Sequence, residues 1–130
     1  MAAVKGGMFY KQLNFIYSFA NDGGAVSTIG MGVFLPAGAI VQLGVANVFT
    51  ALTSGGAATI AVGWTGDTGA LIAATAVASW SDNAVIEGVD LTVAMVKVTA
   101  VQELAVTIAT AALTAGEFYY TCNIMVYPQV

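Results

Sequence analysis

Apolar side chains recur at every second position in segment after segment of this chain, and glycine-rich turns separate the segments. In the segment from Met8 to Ala20, for example, Leu13, Phe15 and Tyr17 share one face. A strand places successive side chains on opposite faces, whereas a helix repeats every 3.6 residues. The alternation therefore predicts a chain built from strands.

Further segments of the same kind follow along the chain, with turn signals at intervals of roughly 8 to 14 residues. They run from Val26 to Leu35, Ala39 to Leu52, Ala58 to Trp64, Leu91 to Thr99, Gln102 to Thr110, and, after a turn at Thr114–Gly116, from Phe118 to Tyr127. Seven to eight strands with Gly-rich turns predict an all-β fold, a β-sandwich of the jelly-roll kind. The strand order, and the choice between a jelly roll and another sandwich, stay open at this point. We expect residues 1–7 to form a flexible N-terminal arm and residues 8–130 to form a single β-sandwich domain.

The region from Thr65 to Asp90 breaks the alternation and is predicted to be a loop, with one helical turn near Ala70 to Thr75. It holds four acidic residues, Asp67, Asp82, Glu87 and Asp90. Two of them could act as a general acid and base if they met across a cleft. They lack the dense Asp/Asn spacing of a calcium loop. A solvated acidic loop is the favoured interpretation.

No residue between Asp22 and Asp67 carries a charge, which raises the alternative of a membrane segment. A spanning helix needs about 20 mostly apolar residues. The uncharged window has that length, but it contains Pro36, Gln42, Asn47 and several glycines, which suit a membrane helix poorly. Strands with a turn at Pro36–Gly38 explain it better. No membrane partner is predicted.

In the second half of this stretch, the two faces of the alternating segment differ in size. One face carries large side chains such as Leu43, Val45 and Phe49, and the other carries small ones such as Gly44 and Ala46. The face of small residues suits close approach between neighbouring chains. One face of the segment is expected to lie in the core.

The side chains available for chemistry are few. Histidine and arginine are absent, so no imidazole base or histidine ligand exists. Cys122 alternates with aromatic residues and is predicted to be a buried structural thiol. The stretch GWTGDTG lacks the Lys-Ser/Thr ending of a phosphate-binding loop. No catalytic, cofactor-binding or metal-binding residue is predicted, and the chain is not expected to be an enzyme.

The aromatic residues leave two interpretations open. Trp64, Trp80 and the pair Tyr119-Tyr120 could form a platform on which a sugar ring stacks. They could instead pack in the core or at an interface, and this second role is favoured.

Charge is scarce along the whole chain. Charged residues make up 8% of the sequence, against about 25% in a typical soluble domain. The net charge is -4, and the cations are Lys5, Lys11 and Lys97. Three scattered lysines do not make a nucleic-acid-binding surface. Because a free monomer usually needs a charged surface, we expect much of this surface to lie against other protein chains.

Two stretches carry a resemblance to a known class of proteins. They are LPAGAIVQLGVANVFTALTSGGAATIAVGWTGDTGALIAATA, residues 35–76, and LTAGEFYYTCNIMVYPQ, residues 113–129. Their succession of turns and strands resembles that of the decoration, or cement, proteins of tailed-bacteriophage heads and related small virion structural proteins. These are turn and strand motifs, so no site residue is carried over.

The resemblance implies a virion protein on the capsid exterior, with the major capsid protein as its partner. It also implies association with itself as a homotrimer over the joints between capsid subunits. Two alternatives remain: a tail or fibre protein that recognises a host surface through its aromatic residues, and a shell-forming capsid subunit.

Overall fold

Two antiparallel β-sheets packed face to face make up the protein in the computed structural model, which describes residues 9–88 and 95–126. The predicted all-β sandwich is confirmed. The predicted arm, residues 1–7, lies outside the described residues, as do Asp90 and the first four residues of the predicted strand from Leu91 to Thr99.

Nine strands and two short helical turns follow one another through the described residues. In chain order they are β1 (Phe9–Ser18), α1 (Phe19–Asp22), β2 (Ser27–Leu35), β3 (Ile40–Ser54), β4 (Thr59–Trp64), β5 (Asp67–Ala76), a 3₁₀ turn (Val77–Ser79), β6 (Val85–Glu87), β7 (Val96–Lys97), β8 (Gln102–Ala109) and β9 (Leu113–Val126).

The first sheet has the order β1-β9-β3-β6, with β7 also paired to β3, and the second sheet has the order β2-β8-β4-β5. The antiparallel pairs are nested, so that the first strand pairs with the last, the second with the last but one, and so on to the middle of the chain. They are β1 with β9, β2 with β8, β3 with β6 and β7, and β4 with β5. This nesting is the topology of a jelly roll. Because β6 and β7 share one edge of β3, nine strands fill the eight positions of that topology.

The core lies between the two sheets. From the first sheet it takes Phe15 and Tyr17 of β1 and Phe118 and Tyr120 of β9, whose rings contact one another. The second sheet contributes aliphatic side chains from alternate positions, namely Ile60, Val62, Leu104, Val106 and Ile108. The alternation predicted for β1, β8 and β9 is therefore confirmed. In β4 the predicted inward residues are buried, but Ala61 and Gly63 between them are buried as well.

The region from Thr65 to Asp90 corrects two predictions. The predicted loop is wrong for Asp67–Ala76 and Val85–Glu87, which form strands β5 and β6. The expected helical turn near Ala70 to Thr75 is wrong, because Asp67–Ala76 forms strand β5 and pairs with β4. An alanine-rich run favours a helix by local propensity. Pairing with β4 and burial of Leu71 and Ile72 favour the strand instead, since tertiary contacts outweigh weak local preferences.

The predicted turn at Thr114–Gly116 is also wrong. These residues lie inside β9, opposite an irregular stretch of β3. Gly116 has a φ of +126° and sits against Leu52, so the glycine marks a local irregularity in the strand and not its start. In contrast, the turn at Pro36–Gly38 is confirmed, with Gly38 at a φ of +83°.

Strand β3 switches faces at its beginning. Val41 pairs with Ile124 and points into the core, but Leu43 pairs with the adjacent residue Asn123 and points outward. Gln42 is therefore the extra residue of a β-bulge. After the bulge, the small residues Gly44 and Ala46 point inward. The expectation that the small face contacts neighbouring chains is wrong, because this face packs on the protein's own core.

Within the described ranges, no helix has the length and apolar character needed to cross a membrane.

Candidate functional site

Within residues 9–88 and 95–126, the acidic side chains do not gather into a site. Asp82 accepts a hydrogen bond from the backbone N–H of Ala51 at 2.6 Å, and Asp67 and Glu87 lie on different strands. Two further carboxylates, Asp22 and Glu103, accept backbone N–H groups in the same way. Among the described residues, no group of three potential metal ligands is found. Three of these carboxylates thus fix turns and bulges of the chain.

Cys122 lies on β9 beside Leu13 of β1, and its side chain is buried in the core, as predicted. Burial raises the pKa of its thiol to about 11, although the nearby Tyr120 hydroxyl and the backbone of Leu13 act in the opposite direction. A reactive cysteine needs a lowered pKa and access to solvent. Cys122 therefore serves packing and has neither property of a nucleophile.

The tryptophans are also core residues. Trp80 is fully buried, with its ring centroid 4.8 Å from that of Phe118, and Trp64 is buried at the end of β4. Tyr120 is fully buried as well, so of the proposed stacking platform Tyr119 alone reaches the surface. The interpretation of these aromatic residues as a sugar-binding platform is wrong.

The outward side of the first sheet is the most distinctive surface of the protein, and we call it the outer face. Residues paired across the four strands share this face; one complete row consists of Ile16, Tyr119, Asn47 and Val85. The outer face is defined by the following side chains: Tyr10, Gln12, Asn14, Ile16, Leu43, Val45, Asn47, Phe49, Val85, Glu87, Glu117, Tyr119, Thr121 and Asn123.

Large apolar side chains are concentrated on the outer face. Of the nine exposed large hydrophobic residues in the described part of the chain, five belong to it: Tyr10, Ile16, Leu43, Phe49 and Val85. Phe49 and Tyr119 form an aromatic pair on this surface, with ring centroids 6.3 Å apart. Exposed apolar patches of this kind mark interaction sites in soluble proteins.

The sequence showed that one face of β3 carries large side chains, but it did not show that this face points outward. The difference in size between the two faces does not give their orientation, because either face can pack inward. The bulge at Gln42 sets the direction, and its position depends on the pairing of β3 with β9.

Two of the open grooves that the described residues form have the following linings. One, of about 620 Å³, lies beside the turn at Pro36–Gly38 and is bordered by Lys97. The other, of about 290 Å³, crosses the outer face and is lined by Tyr10, Lys11, Gln12, Gln42 and Asn123. Neither lining set contains a carboxylate or a thiol, so the grooves offer contacts for binding and no acid, base or nucleophile pair.

Comparison with known proteins gives a result for the fold. No protein-family model matches the chain, and no curated protein matches it. Solved structures with the same fold do exist, and three of them are phage capsids.

A chain in the acid-stable capsid of Helicobacter pylori bacteriophage KHP30 superimposes with a TM-score of 0.67 at 11% identity, over 90% of this chain and 87% of that chain. A chain in the capsid asymmetric unit of cyanophage Pam1 gives a TM-score of 0.66 at 20% identity, over 97% and 93%. A chain in the capsid of Ralstonia phage GP4 gives 0.63 at 19% identity, over 99% and 91%. The jelly roll of this chain is thus similar over nearly its whole length to chains found in phage capsids.

Proposed function

We propose that this chain is a structural protein of a phage virion, and specifically a decoration or cement protein that binds the outer surface of the head and stabilises it. The observation that carries the proposal is the fold, which is similar over nearly the full length of the chain to chains in three phage capsids. Its partners in this role are the major capsid protein and further copies of itself.

The surface of the protein supports a role in assembly. Among the described residues no group of three potential metal ligands is found, and the outer face combines large exposed apolar side chains with uncharged polar ones and few charges. Associated copies around the joints between capsid subunits would bind the capsid tightly through several weak contacts. Once one copy is bound, the effective concentration of the others at their own sites is high. The resemblance implies three copies at each joint.

Two alternative functions predict different virions when the gene for this chain is deleted. A shell-forming subunit shares the same fold neighbours, but it would be required for the shell itself. A tail or fibre protein would use exposed aromatic residues to bind a host surface, and the burial of Trp64 and Trp80 removes the main support for that role.

The test uses a phage that encodes this chain. The gene is deleted, and the particles are examined by electron microscopy and by their resistance to heat and low salt. We expect heads of normal size that release their DNA at lower temperature, and we expect the purified chain to restore stability when it is added back to these heads. Absence of any closed shell would favour the shell-forming subunit, whereas normal heads with defective tails would favour the tail or fibre protein.

A further inference from the structure

We propose that the outer face is a contact surface between copies of this chain. The proposal rests on one part of the proposed function, the association of copies, and not on attachment to the capsid. The large side chains of β3 point outward because the bulge at Gln42 turns them there, and the core behind them is already filled by the aromatic rings of β1 and β9. The apolar surface is therefore fixed by the fold and cannot retreat inward.

The size of the face is sufficient for a specific contact. Strands lie about 4.8 Å apart and rise about 3.3 Å per residue, so three strands of about ten residues together with the short β6 cover roughly 500 Å². Two such faces bury about 1,000 Å², which is the smallest area expected of a biological interface. A second copy therefore provides enough area without any other protein.

The hydrogen-bonding groups on the face are compatible with the same chain. Asn14, Asn47 and Asn123 carry amides, and Thr121 carries a hydroxyl; each of these groups both donates and accepts. Another surface of the same composition can satisfy them. Gln12 already donates to the hydroxyl of Thr121 at 3.0 Å, which shows that these side chains pair with one another on this sheet.

The two charges of the outer face lie at its margin. Glu87 is on the edge strand β6, and Glu117 is in the end row beyond Tyr119. Lys11 of β1 pairs with the inward-facing Ile124 and is therefore not part of the outer face. The rest of the face is uncharged, and interfaces commonly exclude charge from their centre. A second copy turned so that the two acidic margins point apart can therefore approach without like charges meeting.

The test measures the mass of the purified chain by light scattering and its dissociation constant by analytical ultracentrifugation. We expect the wild-type chain to form one species of two or three copies. Phe49→Lys should raise the dissociation constant at least about tenfold, since a buried aromatic contact would be lost and an unpaired charge would be placed in the interface. Ile16→Lys, on the edge strand β1, should weaken association in the same direction, and circular dichroism verifies that each variant folds.

Phe34→Lys is the matched control, because Phe34 is an exposed phenylalanine on the second sheet, 54% exposed against 48% for Phe49. Its dissociation constant should stay within about twofold of wild type, a difference of less than 0.5 kcal/mol. A monomeric wild-type chain would overturn the proposal, as would folded Phe49 and Ile16 variants that associate as tightly as wild type. A monomer that still binds capsids would leave the decoration role standing, whereas an assembled chain that ignores capsids would remove that role and leave this contact in place.

Discussion

At the scale of single residues, the core of the first sheet is built by placing large rings opposite small residues. Tyr120 of β9 pairs with Ala46 of β3, and its hydroxyl lies directly over Gly44. That hydroxyl is buried and has no hydrogen-bond partner within the described residues. An unpaired buried hydroxyl destabilises a fold by about 1–3 kcal/mol, so this position combines tight packing with an unsatisfied polar atom.

The contact between Tyr120 and Gly44 gives a prediction about stability. Gly44→Ala should destabilise the protein by about 1–3 kcal/mol, because the added methyl group would overlap the tyrosine hydroxyl. Tyr120→Phe removes that hydroxyl and should restore most of the loss in the double variant. Urea unfolding of the four proteins measures the coupling between the two sites. Additive effects would show that the methyl group and the hydroxyl do not compete for the same space.

At the scale of elements, the bulge at Gln42 decides which half of β3 is core and which is surface. Before the bulge Val41 faces inward, and after it Leu43, Val45 and Phe49 face outward. A shift of one residue exchanges the two faces of a strand. The bulge therefore connects the local pairing of β3 and β9 to the character of the outer face.

Deletion of Gln42 should leave both faces of β3 in their native directions. The deletion joins Val41 to Leu43, and regular alternation against Ile124 and Asn123 then keeps Val41 inward and Leu43 outward. We therefore expect a loss of less than about 3 kcal/mol, from the lost bulge geometry alone. Gln42→Ala keeps the extra residue and loses one weak contact to the sulfur of Met125, so it should cost less than about 1 kcal/mol. Thermal unfolding followed by circular dichroism compares the two, and a deletion variant that does not fold would contradict this account of the pairing.

At the scale of the whole molecule, stability at high pH depends on three buried ionisable groups in the core, two tyrosine hydroxyls and one cysteine thiol. Burial, with a smaller contribution from Asp22, raises the pKa of Tyr17 to about 12, and burial raises the pKa of the Cys122 thiol to about 11. Burial and the nearby Cys122 thiol also raise the pKa of Tyr120. In the unfolded chain these groups lose their protons at their ordinary values, near 9 for cysteine and 10 for tyrosine.

Above about pH 9 the unfolded chain therefore binds fewer protons than the folded chain, and stability falls as the pH rises. The stabilisation is fully present below that pH and is lost through the folded pKa values, near 11 and 12. We expect the urea midpoint to fall steadily above pH 9 and to fall less steeply in Cys122→Ala. Repeating the series at high salt separates this effect from general charge repulsion. A midpoint that does not change up to about pH 11 would contradict this account.

The sequence by itself determined most of the strands, most of the turns and the inward residues of β1, β4, β8 and β9. Alternation is a local property: Leu13, Phe15 and Tyr17 share a face in any strand, whatever lies beside it. The same alternation predicted that Cys122 is buried. The absence of histidine and the scarcity of charge are properties of composition. They favoured a structural role over catalysis, and this prediction did not require the strand order.

Only the tertiary structure decided the pairing order, the strand character of Asp67–Ala76 and the direction of the large side chains of β3. Each of these depends on contacts between residues far apart in the chain, such as Leu43 with Asn123. A strand can turn either face inward, and an alanine-rich run can form either a helix or a strand. The partner strand makes the choice through backbone pairing and the space left in the core, and a local pattern of residues carries neither.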